Sequence, residues 1–368
     1  MSVRRVVAST VHGAALLPRL VLVRALGAPR RGVRVSYGHA RIPRPSETTL
    51  GGIVKFQRMQ ERFPNSPWRF NVLYMVSSRL PHGPVALARA ARAADARFVW
   101  NQNGVASPAW PGPGWEEINA PLARLHAMAD HVIYQSEFCR ASAARFLGRR
   151  DGPAEVLHNA VDTTVFTPPA RPLPPEPLTI LVGGTQDAAY RVSTSLETLA
   201  LVARKRADAR MVITGRLRWT PDEAECERVA RRVAVEQGVA DRVTFLGPYT
   251  QEAAPDIFRA AHLLLHPKHN DPCPGTVVEA LASGLPVVHS QSGGVPELVG
   301  PDAGIGVPAE DTFEREAPPD PAALAEAVLR AVDDRERFSA AARRRAVERL
   351  DLQPWLERHR VLFERLLG

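Results

Sequence analysis

The chain has 368 residues, of which 45% are hydrophobic and 23% charged, a composition typical of globular proteins and long enough for two domains of about 150 residues each. No apolar run approaches about 18 residues, so no membrane-spanning helix is predicted. The three cysteines, Cys139, Cys226 and Cys273, are odd in number and widely spaced. This disfavours a disulfide framework or a zinc site and indicates a reducing, cytoplasmic location.

The net charge of +8 is unevenly distributed along the chain. The segment up to Pro168 holds 22 basic and 10 acidic residues, whereas the remainder holds 25 and 29. Nine arginines precede Glu47, the first acidic residue. A basic first half indicates an anionic partner: nucleic acid, an anionic membrane surface or a phosphorylated substrate would each fit. A solvated arginine-rich surface without a partner is the alternative.

Residues 1–32 form a basic N-terminal extension that mixes arginine with apolar runs, as in "LLPRLVLVRALGAPRRG". A secretory signal is disfavoured because Arg19 and Arg24 interrupt any hydrophobic core of such a signal. An amphipathic surface helix is one interpretation, although Pro18 is expected to break it. A disordered segment or a mis-assigned start is the other.

From Val33 onward, short β-branched runs alternate with helical patterns, which predicts parallel sheets covered by helices. Strands are predicted at 33–38, 70–77, 97–102 and 131–136, and helices near 52–62, 84–95, 116–129 and 137–147. Six prolines in "TPPARPLPPEP" (167–177) predict a stiff, extended linker. The alternation then resumes, with strands predicted at 178–184, 210–215, 242–247, 262–267 and 286–291.

The predicted fold class is therefore α/β, with two Rossmann-like doubly wound domains facing each other across a cleft. The predicted boundaries are 33–168 for the first domain, 169–177 for the linker, 178–352 for the second domain and 353–368 for a C-terminal helix. Ligands of doubly wound sheets bind at the carboxyl ends of the strands. The sequence contains no Gly-x-Gly-x-x-Gly, no P-loop and no Asp-x-Asp. A bound phosphate would thus be held by helix N-termini and side-chain cations, without a metal.

The segment "NDPCPGTVVEALASGLPVV" (270–288) provides such a helix N-terminus. Pro272 and Pro274 prevent a helix before Gly275 or Thr276, and we expect Thr276 to be the N-cap. The first turn would leave backbone N–H groups unpaired, which makes an anion site. The acidic residues on either side, Asp271 and Glu279, could then flank one ligand.

These residues resemble the acid-x7-acid segment of the family 4 retaining glycosyltransferases, which have the GT-B arrangement of two Rossmann-like domains. The resemblance extends from His262 to Gly300, and "LHNAVDTTVFTP" (157–168) is similar to a second family segment. It implies that the C-terminal helix crosses back to the first domain. It also implies a nucleotide-sugar donor, with Glu279 at the ribose hydroxyls and Asp271 at the transferred sugar.

The resemblance further assigns residues to the donor's diphosphate and base. The N–H groups of Gly275, Thr276 and Val277 would face the diphosphate or sugar hydroxyls, with Gly184 and Gly52 contributing from glycine pairs. Family members clamp the diphosphate with an arginine and a lysine after the first strand of the second domain. Arg191 falls where the lysine is expected and is predicted to be catalytic, but the arginine position holds Thr185 or Gln186. Lys268 or Arg216 would compensate for that missing cation. The nucleobase edge is expected at two residues after the 242–247 strand: Pro248 and Tyr249.

The implied function is transfer of a sugar to a glycan or lipid-linked acceptor in bacterial surface polysaccharide or glycoconjugate synthesis. No cofactor and no metal are expected, nucleic acid is disfavoured, and the basic first half would contact an anionic acceptor or membrane surface. The place of the family's first-domain histidine holds asparagine and glutamine, at Asn101 to Asn103. A non-catalytic donor-binding relative and a nucleotide-sugar epimerase are therefore retained as alternatives. His266, His269 and His289 are interpreted as packing or hydrogen-bonding groups.

Overall fold

The computed structural model describes residues 17–49 and 51–368, which form two compact α/β units. The first unit includes the chain up to Arg44 together with Gly52–Leu157 and Pro354–Gly368. The second consists of Pro45–Gly51 and His158–Gln353. Residues 1–16 of the predicted N-terminal extension lie outside the described residues. The proline-rich segment 167–177 contains no helix or strand and belongs to the second unit.

The first unit is built on a five-stranded parallel sheet in which the strands follow one another in chain order. Its central strands are buried on both faces, as expected where helices cover both sides. The strands are β1 (Val35–Ser36), β2 (Val72–Val76), β3 (Arg97–Gln102), β4 (His131–Tyr134) and β5 (Ala154–Val156). The helices are α1 (17–26), α2 (Gly51–Met59), α3 (Pro84–Ala93), α4 (Trp115–Met128) and α5 (Glu137–Phe146).

The second unit is built on a six-stranded parallel sheet with an apolar cluster on each face. Its strands are β6 (Thr179–Val182), β7 (Arg210–Thr214), β8 (Val243–Gly247), β9 (Leu263–His266), β10 (Val287–Ser290) and β11 (Gly304–Val307). They lie in the order β11-β10-β9-β6-β7-β8. The helices are α6 (Ala189–Ala203), α7 (Glu223–Glu236), α8 (Ala254–Arg259), α9 (Gly275–Ala282), α10 (Val295–Val299), α11 (Pro321–Asp333) and α12 (Arg335–Arg349). The predicted class, two parallel-sheet α/β domains, is confirmed.

The last helix, α13 (Leu352–Leu367), packs within the first unit from Pro354 onward. The ring of Phe363 lies 5.1 Å from that of Phe63. The His359 Nε2 atom lies 3.1 Å from the Tyr74 hydroxyl. The chain therefore contributes its last helix to the unit formed by its first half. Within the described residues, no helix is long and apolar enough to cross a membrane.

Candidate functional site

In the second sheet, one pair of neighbouring strands is followed by connections that lead in opposite directions along the sheet. From β6 the chain proceeds outward to β7, and from β9 it proceeds to β10 on the opposite side, although β6 and β9 are hydrogen-bonded neighbours. At such a switch point the loops after the two strands separate and leave a crevice for ligands. The two loops here are Gly183–Asp187 and Pro267–Asp271. They carry three predicted site residues: Gly184, Lys268 and Asp271.

Helix α9 begins at this crevice, and its cap differs from the predicted one. The N-cap is Pro274, whose extended backbone suits the position and whose carbonyl accepts from the Val277 N–H at 3.2 Å. The predictions that Thr276 caps the helix and that the Val277 N–H faces a ligand are therefore wrong. The N–H groups of Gly275 and Thr276 have no hydrogen-bond partner among residues 17–49 and 51–368. These two donors give the start of the helix a partial positive charge.

The proline segment before α9 is fixed by its neighbours. The Asn159 side-chain amide donates to the Cys273 carbonyl at 2.7 Å, and the Gly294 N–H donates to the Asp271 carbonyl at 2.9 Å. Gly293 has φ +68°, and a Cβ there would lie 2.5 Å from the Asp271 carbonyl oxygen. Only glycine therefore allows the loop after β10 to approach this closely. The backbone that carries Asp271 is thus held in place from two sides.

A network of charges lies across the two loops. The Lys268 ammonium is 2.8 Å from the Asp187 carboxylate and 4.0 Å from that of Asp271. The Nε2 atom of His266 is 3.1 Å from the same oxygen of Asp271. Burial alone would raise the pKa of Asp271, but Lys268 and His266 outweigh it and hold that pKa well below its usual range. Asp271 is therefore a carboxylate at neutral pH.

His266 is the neutral partner in this network. Burial lowers its pKa more than the hydrogen bond to Asp271 raises it. A neutral imidazole beside a carboxylate donates its Nε2–H, so His266 orients the Asp271 side chain without cancelling its charge. The other predicted hydrogen-bonding histidines are also engaged: His269 with the Glu310 carbonyl and His289 with that of Ser290.

Arg191, a predicted catalytic residue, lies beneath the loop after β6 and is 3% exposed. Its guanidinium donates to the carbonyl oxygens of Thr185 and Gly183, and it lies 3.2 Å from the Asp187 carboxylate. Its Nε atom has no partner within the part of the chain that the structure describes. In this conformation Arg191 supports the loop and leaves most of its donors committed to the protein.

Helix α9 and the loop after β6 are in direct contact. A Cβ at Gly184, where φ is +87°, would lie 3.2 Å from Cγ2 of Thr276. The backbone of Gly184 therefore lies against the first turn of α9. Glu279 lies one turn further along that helix and is 2% exposed. The structure thus places Gly184, Gly275 and Thr276 at the start of α9, with Glu279 about one turn along the helix.

The remaining predicted donor-binding residues lie further along the sheet edge or in the first unit. Arg216 follows β7, is exposed, and pairs with Glu223 at 3.2 Å. Pro248 and Tyr249 follow β8, and Tyr249 packs against the apolar cluster beneath α9. Strand spacing of about 4.8 Å puts β7 roughly 10 Å from β9, so Lys268 is the better placed of the two compensating cations. Gly52 lies in the first unit, in the first turn of α2.

Sequence reasoning missed Asp187 and Tyr190. Asp187 pairs with both Lys268 and Arg191. These two cations keep the pKa of Asp187 below its usual value, although burial alone would raise it. The signal for it was its position four residues before Arg191, the spacing at which helical side chains meet. The Tyr190 hydroxyl accepts from the His269 N–H at 3.0 Å and ties the loop after β9 to the first turn of α6. The described residues contain no cluster of His, Cys, Asp or Glu suited to a metal ion.

A parallel-sheet protein with a helix N-terminus, a cation and carboxylates at its switch point belongs to the doubly wound α/β class, whose ligands bind at the carboxyl ends of the strands. Two family models match this chain: "Glycosyltransferase Family 4" over residues 6–165 and "Glycosyl transferases group 1" over residues 176–334. The chain therefore belongs to the family 4 glycosyltransferases.

Similar proteins of known name are glycosyltransferases. A lipopolysaccharide core biosynthesis mannosyltransferase of Rhizobium meliloti is 29% identical over 235 residues, covering 61% of this chain and 63% of that protein. A D-inositol 3-phosphate glycosyltransferase of Mycolicibacterium smegmatis is 31% identical over 179 residues, covering 46% and 40%. The chain thus spans less than two thirds of the length of these curated relatives.

Two solved structures share the fold. Sucrose-phosphate synthase of Thermosynechococcus elongatus has a TM-score of 0.64 and 19% identity, with 84% of this chain and 76% of that chain covered. The protein HepE of Anabaena, in complex with UDP, has a TM-score of 0.64 and 18% identity, with 80% and 79% covered. These structures confirm the predicted GT-B fold, and the two family models confirm the predicted family.

Proposed function

We propose that this chain is a retaining glycosyltransferase that moves a sugar from a nucleotide-sugar donor to a glycan or lipid-linked acceptor. The observation that carries the proposal is the arrangement at the switch point of the second sheet. Two N–H groups at the start of α9, which have no partner within the described part of the chain, lie there with the ammonium of Lys268 and the carboxylate of Asp271. The pathway we propose is bacterial surface polysaccharide or glycoconjugate synthesis.

The donor's diphosphate is assigned to the positive groups of this site. A helix N-terminus has about half a unit of positive charge, and its free N–H groups point toward a bound anion. Lys268 adds a full charge from the neighbouring loop. The solved complexes of HepE with UDP and with UDP-glucose support this class of donor.

The two acids are assigned to the donor's hydroxyl groups. An ionised carboxylate accepts hydrogen bonds from sugar hydroxyls, and Asp271 is ionised at neutral pH for the reasons given above. We assign Asp271 to the transferred sugar and Glu279 to the ribose. His266 and Lys268 hold the Asp271 carboxylate, so its orientation is set before a ligand arrives.

The chemical step depends on the departing nucleoside diphosphate, which develops negative charge as the glycosidic bond breaks. Positive groups that already point at that charge lower the barrier because they need no reorganisation. Lys268 and the α9 N–H groups take this role in the proposal, and Arg191 positions the loop that carries Gly184. The leaving phosphate oxygen takes the proton of the acceptor hydroxyl, which attacks on the same face and retains the anomeric configuration. No metal or other cofactor is invoked.

The acceptor is assigned to the first unit, whose basic residues suit an anionic acceptor carried at a membrane surface. Up to Pro168 the chain has 22 basic and 10 acidic residues. Such an excess raises the local concentration of anionic molecules. We place the reaction on the cytoplasmic face of the membrane.

The test is incubation with UDP-, GDP-, ADP- and dTDP-sugars in EDTA, with nucleoside diphosphate release as the readout. We expect release with one donor class and at least a 100-fold loss in Asp271→Asn. The matched control is Asp256→Asn, which changes an exposed acid paired with Arg259. Thermal stabilisation without release would instead identify a non-catalytic relative. An isomerised donor formed without acceptor would identify an epimerase.

A further inference from the structure

Helix α1 exposes its apolar side chains. Four of its aliphatic residues are exposed, at 66% for Leu17, 65% for Val21, 40% for Leu22 and 44% for Leu26. At 3.6 residues per turn these four occupy one continuous half of the helix. The opposite half packs inward through Leu20 and Val23. The helix is therefore apolar on both its core side and its outer side.

The outer side of a surface helix is normally charged, and a contiguous apolar patch indicates a binding surface. An aromatic side chain, that of Trp68, borders the apolar patch on α1. Trp68 is 44% exposed and lies beneath the Arg19 guanidinium, which is 5.8 Å from the centre of its ring. Arg19 is anchored by hydrogen bonds to the carbonyls of Gly38 and Pro67. Trp68 is thus fixed beside α1 by a residue of the helix itself.

Four arginines lie close to this patch along the chain. Arg24 lies on α1, Arg30 and Arg31 follow it, and Arg69 follows Trp68, and all four are exposed. The sequence has no acidic residue before Glu47. Aliphatic residues with a tryptophan and a rim of arginine are the composition of helices that lie in the interface of anionic bilayers. A second copy of the same positive surface would be repelled, and nucleic acid would leave the aliphatic half exposed to water.

We propose that the outer face of α1 and the ring of Trp68 form a membrane-contact surface that inserts among anionic lipid headgroups. The aliphatic side chains enter the boundary between headgroups and acyl chains, and the arginines contact lipid phosphates. This surface deepens the proposed function, because it would hold the first unit against the membrane that carries the acceptor.

The test is flotation of the full chain with vesicles of phosphatidylglycerol and phosphatidylcholine, compared with vesicles of phosphatidylcholine alone. We expect binding to the anionic vesicles that weakens as salt increases. The double variant Val21→Asp/Leu22→Asp should lower the partition coefficient about tenfold or more, because it puts two charges among the acyl chains. The matched control is Val235→Asp in α7, at a valine that is 67% exposed, and it should bind as the unaltered chain.

A second variant, Arg24→Glu, tests the charge without changing an apolar residue, and about a fivefold loss or more is expected. Equal binding by Val21→Asp/Leu22→Asp and the unaltered chain would overturn the proposal. So would a dimer in sedimentation velocity that the double variant converts to a monomer, because the patch would then be an interface between copies. Donor-induced thermal stabilisation of the double variant is expected to be unchanged. If donors stabilise no form of the chain while vesicle binding is intact, the donor assignment alone is refuted.

Discussion

Replacing Lys268 by methionine removes one charge from the centre of the proposed donor site while keeping a similar side-chain volume. The ammonium lies 2.8 Å from Asp187 and 4.0 Å from Asp271. Two unit charges 4 Å apart interact by about 4 kcal/mol at an effective dielectric of 20. A donor phosphate beside Lys268 would experience an attraction of the same order.

Much of that attraction is offset by desolvation, so the net effect is smaller. Removing one preorganised donor from a developing oxyanion costs about 10²–10³ in kcat. We expect kcat/KM of Lys268→Met to fall about 100-fold, with most of the loss in kcat because charge develops as the bond breaks. The pKa of Asp271 should also rise once Lys268 is gone, which would move the acid limb of the pH profile upward.

Asp187 provides the second half of this test. If it positions Lys268, Asp187→Asn should lower kcat/KM about tenfold in the unaltered chain and have little effect in the Lys268→Met background. The control is Arg216→Met, which removes an exposed cation paired with Glu223. Steady-state rates of nucleoside diphosphate release are the measurement. A Lys268→Met variant within threefold of the unaltered chain would refute this reasoning, as would strict additivity of the two changes.

Three further results are expected. Gly184→Ala should weaken donor-induced stabilisation and lower the free energy of unfolding by about 1–2 kcal/mol, because alanine is strained at φ +87° and its methyl would crowd Thr276. The control is Gly238→Ala, which is also at positive φ but in open space and should leave the donor-induced stabilisation intact. His359→Leu should lower the free energy of unfolding, measured in urea, by about 1–3 kcal/mol, since the Tyr74 hydroxyl loses its acceptor. Burial lowers the pKa of His289 and His359 to about 4, whereas histidines in the unfolded chain protonate near 6.5. The free energy of unfolding should therefore fall as the pH drops from about 6.5 to about 4.

The sequence predicted the strands that contain a short apolar run, such as Phe98–Trp100 in β3, because burial on both faces of a parallel sheet leaves that pattern. β3 was predicted with its observed bounds, Arg97–Gln102. Two edge strands were missed. β5 has three residues and only partial burial, and β11 contains two glycines, so neither has the run of β-branched residues that marks a central strand.

The start of α9 could be predicted to within one residue because proline is compatible with so few helical positions. Its cap could not, since Pro274 adopts the extended conformation that a capping residue needs and thereby displaces Thr276. The pairing of Asp187 with Lys268 joins positions 81 residues apart, and only the order of the strands brings them together. The outward apolar face of α1 could not be predicted either, because a helical pattern does not tell which half of an apolar helix faces the core.

Glu279 is the residue whose replacement tests the placement of the donor most directly, because it is buried in α9 beside the proposed anion site. Thermal shift should be measured with UDP-, GDP-, ADP- and dTDP-sugars for the unaltered chain and for Glu279→Ala. We expect stabilisation of the unaltered chain by one class of donor and loss of that stabilisation in the variant. An equal donor-induced shift in both proteins would contradict the proposed placement of the donor.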